Sequence, residues 1–554
     1  MTNRYFFKRL VLSLSVSLCV LNIFAEEKNG SREFLVSKNM DIYNSLFKEL
    51  DMFYVDTINP EKTIKTGIDA MLNSLDPYTV YIPEEEMEDF KFMMSGEYAG
   101  VGAIIAKHKN AIIINEIYEG KPADKCGLKV GDKFIEIAGK KIGEDKSTSD
   151  VSNLLRGDAN TVVEVVVERP GEKKPLKLKI TREKIALNPI EYYDVLDNNI
   201  GFISVSNFTD KTASSFKEAF LDLKKRGITS LIIDLRSNPG GLLSEALQIV
   251  NYFVPKGSTL LTTRGKVKQW DETYKATSSP IDTEIPLAVI VNKGSASASE
   301  VVAGALQDLD RAVVIGERSY GKGLVQTTRS LPYGGGIKVT TSKYYTPSGR
   351  CVQAIDYSDR DENGYVKRIP DSLTTEFKTA NGRIVRDGGG ITPDSVVEIK
   401  DNYSELEKKL VSDNIIFDYA VNYHVKHKNI APPKEFVFDD YDDFKKFVKD
   451  ANFTYTRNTE KGVKALVDIA KKEGYYEIAK EEFDALEKKL EHDIDKDLDH
   501  FKRDVKWLVT AEILSKYYYK RGFLIEMVKE DVFVDVAKEI LNNKEAYKKI
   551  LSNP

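Results

Sequence analysis

The sequence predicts an α/β core over residues 186–400, with a β-rich domain over 97–185 inserted ahead of it and helical regions at both ends. Three observations carry that expectation. Between Asn199 and Lys400, apolar extended runs (IGFISVS, SLIIDLR, LAVIVN, AVVIGE) alternate with amphipathic helical ones (SSFKEAFLDLKKRG, LLSEALQIVNYFV, ASEVVAGALQDLD), as strands joined by crossover helices do. After Gly96, short β-branched runs (VGAIIA, AIIINEIY, KFIEIAG, TVVEVVVER) are cut by Gly, Lys and Asp turns, with a boundary near Ala186. From Asp401 to Pro554 the chain turns charged and amphipathic without strand signals.

Taken in order, the first 25 residues read as a secretory signal. Arg4, Lys8 and Arg9 precede an apolar run from Leu10 to Phe24, and a small Ala25 stands before Glu26. The run is shorter than the roughly 20 residues a membrane span needs, so cleavage and export, to the periplasm, are expected; membrane contact would come only through an uncleaved signal. Residues 39–95 carry apolar positions at helical spacing (Ile42, Leu46, Leu50, Phe53, then Ile64, Ile68, Met71, Leu72) and are predicted as a small helical module broken at Asn59-Pro60 and Asp76-Pro77. The sequence of the helical region 401–554 is silent on chemistry, and the expectations for it are self-association, holding a partner or fencing the entrance to the site.

Composition narrows the function classes. At 554 residues, 42% hydrophobic and 30% charged, the chain is a folded one of several domains. A net charge of -5 offers no basic excess to neutralise a phosphate backbone, so nucleic acid is not the expected partner. Outside the signal only Cys126 and Cys351 remain, in different predicted domains, so no disulfide framework is expected. The five histidines (His108, His424, His427, His492, His500) all fall outside the α/β region, which removes the imidazole a Ser-His-Asp triad requires. His424-x-x-His427 lacks an evident third ligand, and neither a metal nor a cofactor is expected.

Two segments could do chemistry. Asn292-Lys293-Gly294-Ser295-Ala296-Ser297-Ala298-Ser299-Glu300 follows an apolar strand and opens a helix, where a serine nucleophile would find helix N-terminal amides for its oxyanion. Ser297-x-x-Glu300 is also a capping box, which explains the same residues without catalysis. Gly316-Glu317-Arg318-Ser319-Tyr320-Gly321-Lys322-Gly323 nearly spells a phosphate loop, but Gly323 stands where a magnesium-binding hydroxyl is needed. Lys322 then reads either as a base whose amine is neutralised by burial or as an ordinary loop lysine.

The segment NKGSASASEVVAGALQDLDRAVVIGERSYGKGLVQ resembles the active-site stretch of the carboxy-terminal processing peptidases, the tail-specific proteases of the S41 type. Ser297 and Lys322 stand 25 residues apart, as that family's Ser/Lys pair does. The resemblance implies a ClpP/crotonase-like core in which Ser297 is the nucleophile, Lys322 the general base and Gln326 the residue orienting the lysine, with Ser295 and Ser299 as loop and cap residues. It also implies an oxyanion hole made by the Ala298 amide and an amide of Gly240 or Gly241, in the turn Asp234-Leu235-Arg236-Ser237-Asn238-Pro239-Gly240-Gly241. Lys343 to Arg350 and Gly390 to Asp394 resemble late signatures of the family.

The segments Gly100-Val101-Gly102-Ala103, Gly120-Lys121-Pro122-Ala123 and Gly127 to Asp132 resemble a PDZ domain. Such a domain adds a peptide C-terminus as a strand and receives its carboxylate on loop amides. Gly100, Val101 and Gly102 are the loop candidates, and Arg156 is an electrostatic one, although turn chemistry explains the glycines as well. The expectation is therefore an exported serine endopeptidase acting on C-terminal tails. Its rival is a non-catalytic PDZ adaptor built on a degenerate protease core.

Overall fold

Three five-residue strands with no exposed residue form the centre of the larger of two units into which the chain divides, 1–81 and 82–554. The computed structural model describes residues 31–88, 90, 96–361, 366–398, 404–490 and 493–552; the predicted signal segment and His492 lie outside them. No helix among the described residues is long and apolar enough to cross a membrane.

In the first unit, Ser31 caps α1 (Arg32–Phe53), accepting from the Phe34 amide, and Asn59 caps α2 (Pro60–Asn73), with Pro60 where its missing N–H costs nothing. The cap at Ser31 starts helix ahead of the expected residue 39. The predicted apolar face of α1 is exposed: Ile42, Leu46, Leu50 and Phe53 are all open, and the helix buries none of its residues.

In the second unit, β1 (Glu97–Gly100) pairs antiparallel with β7 (Glu183–Ala186) where the β-rich domain leaves the core. Between them β2 (Ala103–His108), β3 (Ala111–Ile117), β4 (Lys133–Ile137), β5 (Val162–Glu168) and β6 (Leu176–Thr181) form one antiparallel sheet in sequence order. It is closed by a short α3 (Pro122–Lys125) and by α4 (Thr148–Leu155), which Ser147 and Asp150 cap reciprocally. Val163, Val165 and Val167 alternate inward to a core shared with Ile114, Phe134, Leu128 and Val151.

The central sheet runs β8–β9–β10–β13–β14–β17, that is Ile190–Leu196, Ile200–Val205, Ser230–Asp234, Leu287–Val291, Ala312–Gly316 and Ser395–Val396. β8 is antiparallel and the rest parallel. Crossover helices α5 (Thr212–Lys225), α6 (Leu243–Asn251) and α7 (Ala298–Asp308) cover one face, against Ile203, Leu231, Ile233, Val289 and Val314. A smaller sheet, where β11 (Thr259–Gly265) pairs with β12 (Glu272–Lys275) and β16 (Gly336–Tyr345) and β16 pairs with β15 (Leu324–Ser330), flanks it.

The opposite face, Phe202, Ile232, Ala288, Ile290, Val313 and Ile315, is covered from the C-terminal region. There α8 (Glu405–Ser412), α9 (Ile415–Lys426), α10 (Tyr441–Asp450), α13 (Ile494–His500) and the first half of α14 (Lys502–Lys529) share their own aromatic core, from which α11 (Asn458–Glu473) and α12 (Lys480–Lys489) extend. Ile525 and Val528 at the end of α14, with Phe533, Val534, Ala537 and Leu541 of α15 (Val532–Asn542), pack on the sheet, and Tyr547 of α16 (Lys544–Leu551) packs beside them. Residue 401 thus marks a change in sequence texture without being a packing boundary. A parallel sheet apolar on both faces needs a second helical layer, and the last helices of the chain supply it.

Candidate active site

The loops leaving β9, β10, β13 and β14 meet at one edge of the parallel sheet, where doubly wound folds place their sites. Ser297 sits between β13 and α7 with φ 55° and ψ -113°, a left-handed backbone that costs a non-glycine residue of order 1–3 kcal/mol. The neighbouring serines hold it there. Ser295 Oγ donates to Leu235 O and accepts from the Asn292 amide; Ser299 Oγ donates to Asn238 O. Ser295, in the loop, and Ser299, in the first turn of α7, thereby stitch the serine turn to the glycine turn after β10.

That second turn is built around Asn238, fully buried, whose Nδ2 donates to Val205 O and whose Oδ1 accepts from the Gly240 amide. Gly240 has φ 105°, and a Cβ there would lie 2.8 Å from both Ala296 O and Ser297 Cβ and 3.0 Å from the Ala298 nitrogen. Only glycine permits this approach. Gly241, φ 141°, lies against Phe208, and a Cβ would meet Phe208 O at 2.2 Å. Phe208 donates to Gly240 O and accepts from the Leu242 amide, so the N–H of Gly241 points away from Phe208. Among the described residues neither the Gly241 nor the Ala298 amide donates to a protein acceptor.

Lys322 belongs to the loop after β14, and two groups fasten its backbone to that of Ser297. Glu300, fully buried on the first turn of α7, accepts with Oε2 from the amides of Ser297 (2.9 Å) and Lys322 (2.8 Å), and with Oε1 from Ser319 Oγ (2.6 Å) and the Gly321 amide (2.7 Å). The Tyr344 hydroxyl reaches Lys322 O at 2.7 Å and Ser297 O at 3.2 Å. Two amides on one oxygen cannot stand further apart than those two bonds laid end to end. The capping half of Glu300 was legible in Ser-x-x-Glu; its reach to the lysine loop was not. Burial pushes its carboxyl above the usual range, against the pull of its four donors.

Gln326 lies on β15, beside a bulge at Val325/Gln326, and donates to Thr340 Oγ1 at 3.2 Å. The two late signatures are scaffolding for the lysine loop. Ile391 and Ser319 exchange hydrogen bonds, Asp394 accepts from the Val314 amide and Gln307, and buried Arg350 binds Gln307 and Asp308. Cys126 and Cys351 are both free and half-buried, and burial pushes both thiols up. His424 lies edge-on to Tyr517 and His427 stacks on Tyr423. Among the described residues no group of His, Cys, Asp and Glu is placed to hold a metal ion.

The β-rich domain holds a separate groove of about 180 Å³ between β2 and α4, lined by Gly100, Val101, Ile104, Leu155 and Arg156 together with Tyr98. Gly102 completes the loop with φ 75°, close against Lys121, while the Val101 side chain is buried in the domain core and its carbonyl accepts from Ala123. Tyr98 was not foreseen. Its ring covers Gly100, and burial pushes its phenol up while the Gly102 amide donates to it.

A serine on a strained strand-to-helix turn, beside backbone amides with no protein acceptor, and a peptide groove on its own β domain together define a peptidase with a PDZ domain. Residues 199–358 match the model of peptidase family S41, 113–169 that of the PDZ domain, and 406–541 one described as "Probable PDZ-protease, C-terminal helical domain". The carboxy-terminal-processing protease of Bartonella bacilliformis is 35% identical over 346 residues, 62% of this chain and 78% of its own. The "Probable CtpA-like serine protease" of Staphylococcus aureus strain RF122 is 32% identical over 424 residues, 75% of this chain and 82% of its own. Among solved structures, the photosystem II D1 C-terminal processing protease is 27% identical with a TM-score of 0.34, covering 64% of this chain and 92% of that one. The chain belongs to the carboxy-terminal-processing protease family of S41 peptidases.

Proposed function

We propose that the protein is an exported, periplasmic serine endopeptidase that captures protein C-terminal tails in its PDZ groove and cleaves them with a Ser297/Lys322 dyad. Ser297 Oγ attacks the scissile carbonyl as Lys322 Nζ takes its proton, with Gln326 orienting the amine. The tetrahedral oxyanion receives the Ala298 amide and one from the glycine turn. Gly241 is the better donor, because the Gly240 amide is committed to Asn238. Lys322 returns the proton to the leaving amine, and water hydrolyses the acyl ester on Ser297. The tail carboxylate meets the Gly100-Val101-Gly102 loop with Arg156 at the rim of the groove.

One observation carries this reading: the shared Glu300 carboxylate and Tyr344 phenol hold residues 297 and 322 side by side across two separate loops. The test is intact-mass analysis of a protein bearing an unstructured tail with a free carboxylate, incubated with native chain, Ser297→Ala or Lys322→Ala. Cleavage by the native chain alone is expected, and it slows when the tail is amidated. Persisting cleavage by Ser297→Ala overturns the dyad, and tail binding without cleavage by the native chain makes the protein an adaptor.

A further inference from the structure

The glycine turn has an anchor outside the peptidase core. Arg236 opens the turn after β10, two residues before Asn238. Its guanidinium is held locally by Asp234, with Nε at 3.0 Å from Oδ1 and Nη2 at 2.6 Å from Oδ2. Nη2 also lies 2.6 Å from Asp531 Oδ2, and the Phe533 ring sits 5.0 Å from the guanidinium carbon. Asp531 and Phe533 belong to the C-terminal helical region, beyond the 199–358 span of the S41 match. All three charged side chains are largely buried, with Arg236 19%, Asp234 8% and Asp531 13% exposed.

Asp234, the last residue of β10, is only two residues from Arg236 and moves with it. Among the described residues Asp531 is the one carboxylate from elsewhere in the chain that pairs with Arg236, and a charge-assisted bond at this burial resists solvent competition. The stretch it fixes runs directly into Ser237, at φ 57°, then Asn238 and the two glycines against Ser297 and Phe208. We infer that Asp531 is a positioning residue for the oxyanion turn, so that the C-terminal helical region sets the geometry of the catalytic amides through Arg236. This rests on the Ser297 reading above.

Asp531 lends itself to a clean test because it does two jobs with two oxygens. Oδ1 caps α15, accepting from Phe533 and Val534, and Oδ2 meets Arg236. Asn caps as well as Asp, and Asp531→Asn leaves Arg236 still neutralised by Asp234, so the variant keeps the fold while weakening the clamp. With a fluorogenic peptide carrying a free C-terminal carboxylate, Asp531→Asn is expected to lower kcat at least fivefold with KM unchanged. Affinity for a peptide boronic acid, which mimics the tetrahedral state, should fall in proportion, with the thermal midpoint unmoved. Phe533→Leu, which keeps apolar bulk but removes the ring from the guanidinium, should shift kcat in the same direction by less. Unchanged kcat in Asp531→Asn, or a loss appearing in KM and thermal midpoint instead, overturns the inference. If Ser297→Ala still cleaves the peptide, it is the dyad reading that has failed.

Discussion

Glu300 takes four hydrogen bonds on two oxygens with no access for solvent, and every donor belongs either to the serine turn or to the lysine loop. Replacing it with Gln puts an NH₂ where one oxygen stood, and that NH₂ must face two groups that donate. Whichever way the amide turns, two donors go unmet in a buried site, at a cost of about 1–3 kcal/mol each. Glu300→Gln is therefore expected to lose activity by two orders of magnitude or more and to lower the denaturant midpoint, both read on purified protein beside the native chain. Much of this site was legible at the residue scale, because a strand, a serine-rich turn and a helix start require no tertiary information to recognise. What stayed hidden was partnership across distance. Nothing in the local pattern of Glu300 or Tyr344 announces a bond to residue 322, and nothing local separates Gly240 from Gly241. Their neighbours, Ser297 for one and Phe208 for the other, separate them.

At the scale of elements, the central strands themselves call for a second helical layer. Ile232 and Ile233 are consecutive and both fully buried, as are Val289 and Ile290, so both faces of the sheet need cover. The three helices between residues 199 and 400 all lie on one face. The missing layer had to come from elsewhere, and the apolar spacing of Phe533, Val534, Ala537 and Leu541 supplies it, although helical periodicity alone does not say which surface a helix covers. Val534 is fully buried there while Val532, two residues earlier, is 57% exposed. Val534→Asp would bury an unpaired carboxylate, a large destabilisation of several kcal/mol, whereas Val532→Asp leaves its charge in water. The first variant should be recovered mainly as aggregate and the second as soluble protein with a near-native thermal midpoint. Equal solubility would show that α15 is dispensable to the core.

Across the whole of the second unit, the C-terminal region touches both other parts. It reaches the PDZ domain through Tyr519, whose hydroxyl donates to Asp124, through Asp418 beside His108 at 3.0 Å, and through Val421 against Gly131. It reaches the core through the α15 layer and through Lys434, 2.8 Å from Asp194 of β8. Asp194 also pairs with Arg226 after α5 and accepts from the Val195 amide. Burial works to raise this carboxyl, but the bonds from Lys434 and Arg226 outweigh it and hold the group down at about 2. A folded-state value below the ordinary carboxylate value of about 3.9 means that the unfolded chain binds the proton first, so the pairing stabilises the fold above about pH 4. That stability is lost as the pH falls toward 2, where the folded carboxylate itself is protonated. The contribution is about 2.6 kcal/mol at most, and less in high salt because Lys434 is exposed. Native protein should accordingly lose its thermal-midpoint advantage over Asp194→Asn between pH 4 and pH 2 and keep it from pH 5 to pH 7, with 1 M salt narrowing the gap. A gap that stays constant down to pH 2 would mean that the charge on Asp194 does not hold the helical region to the core.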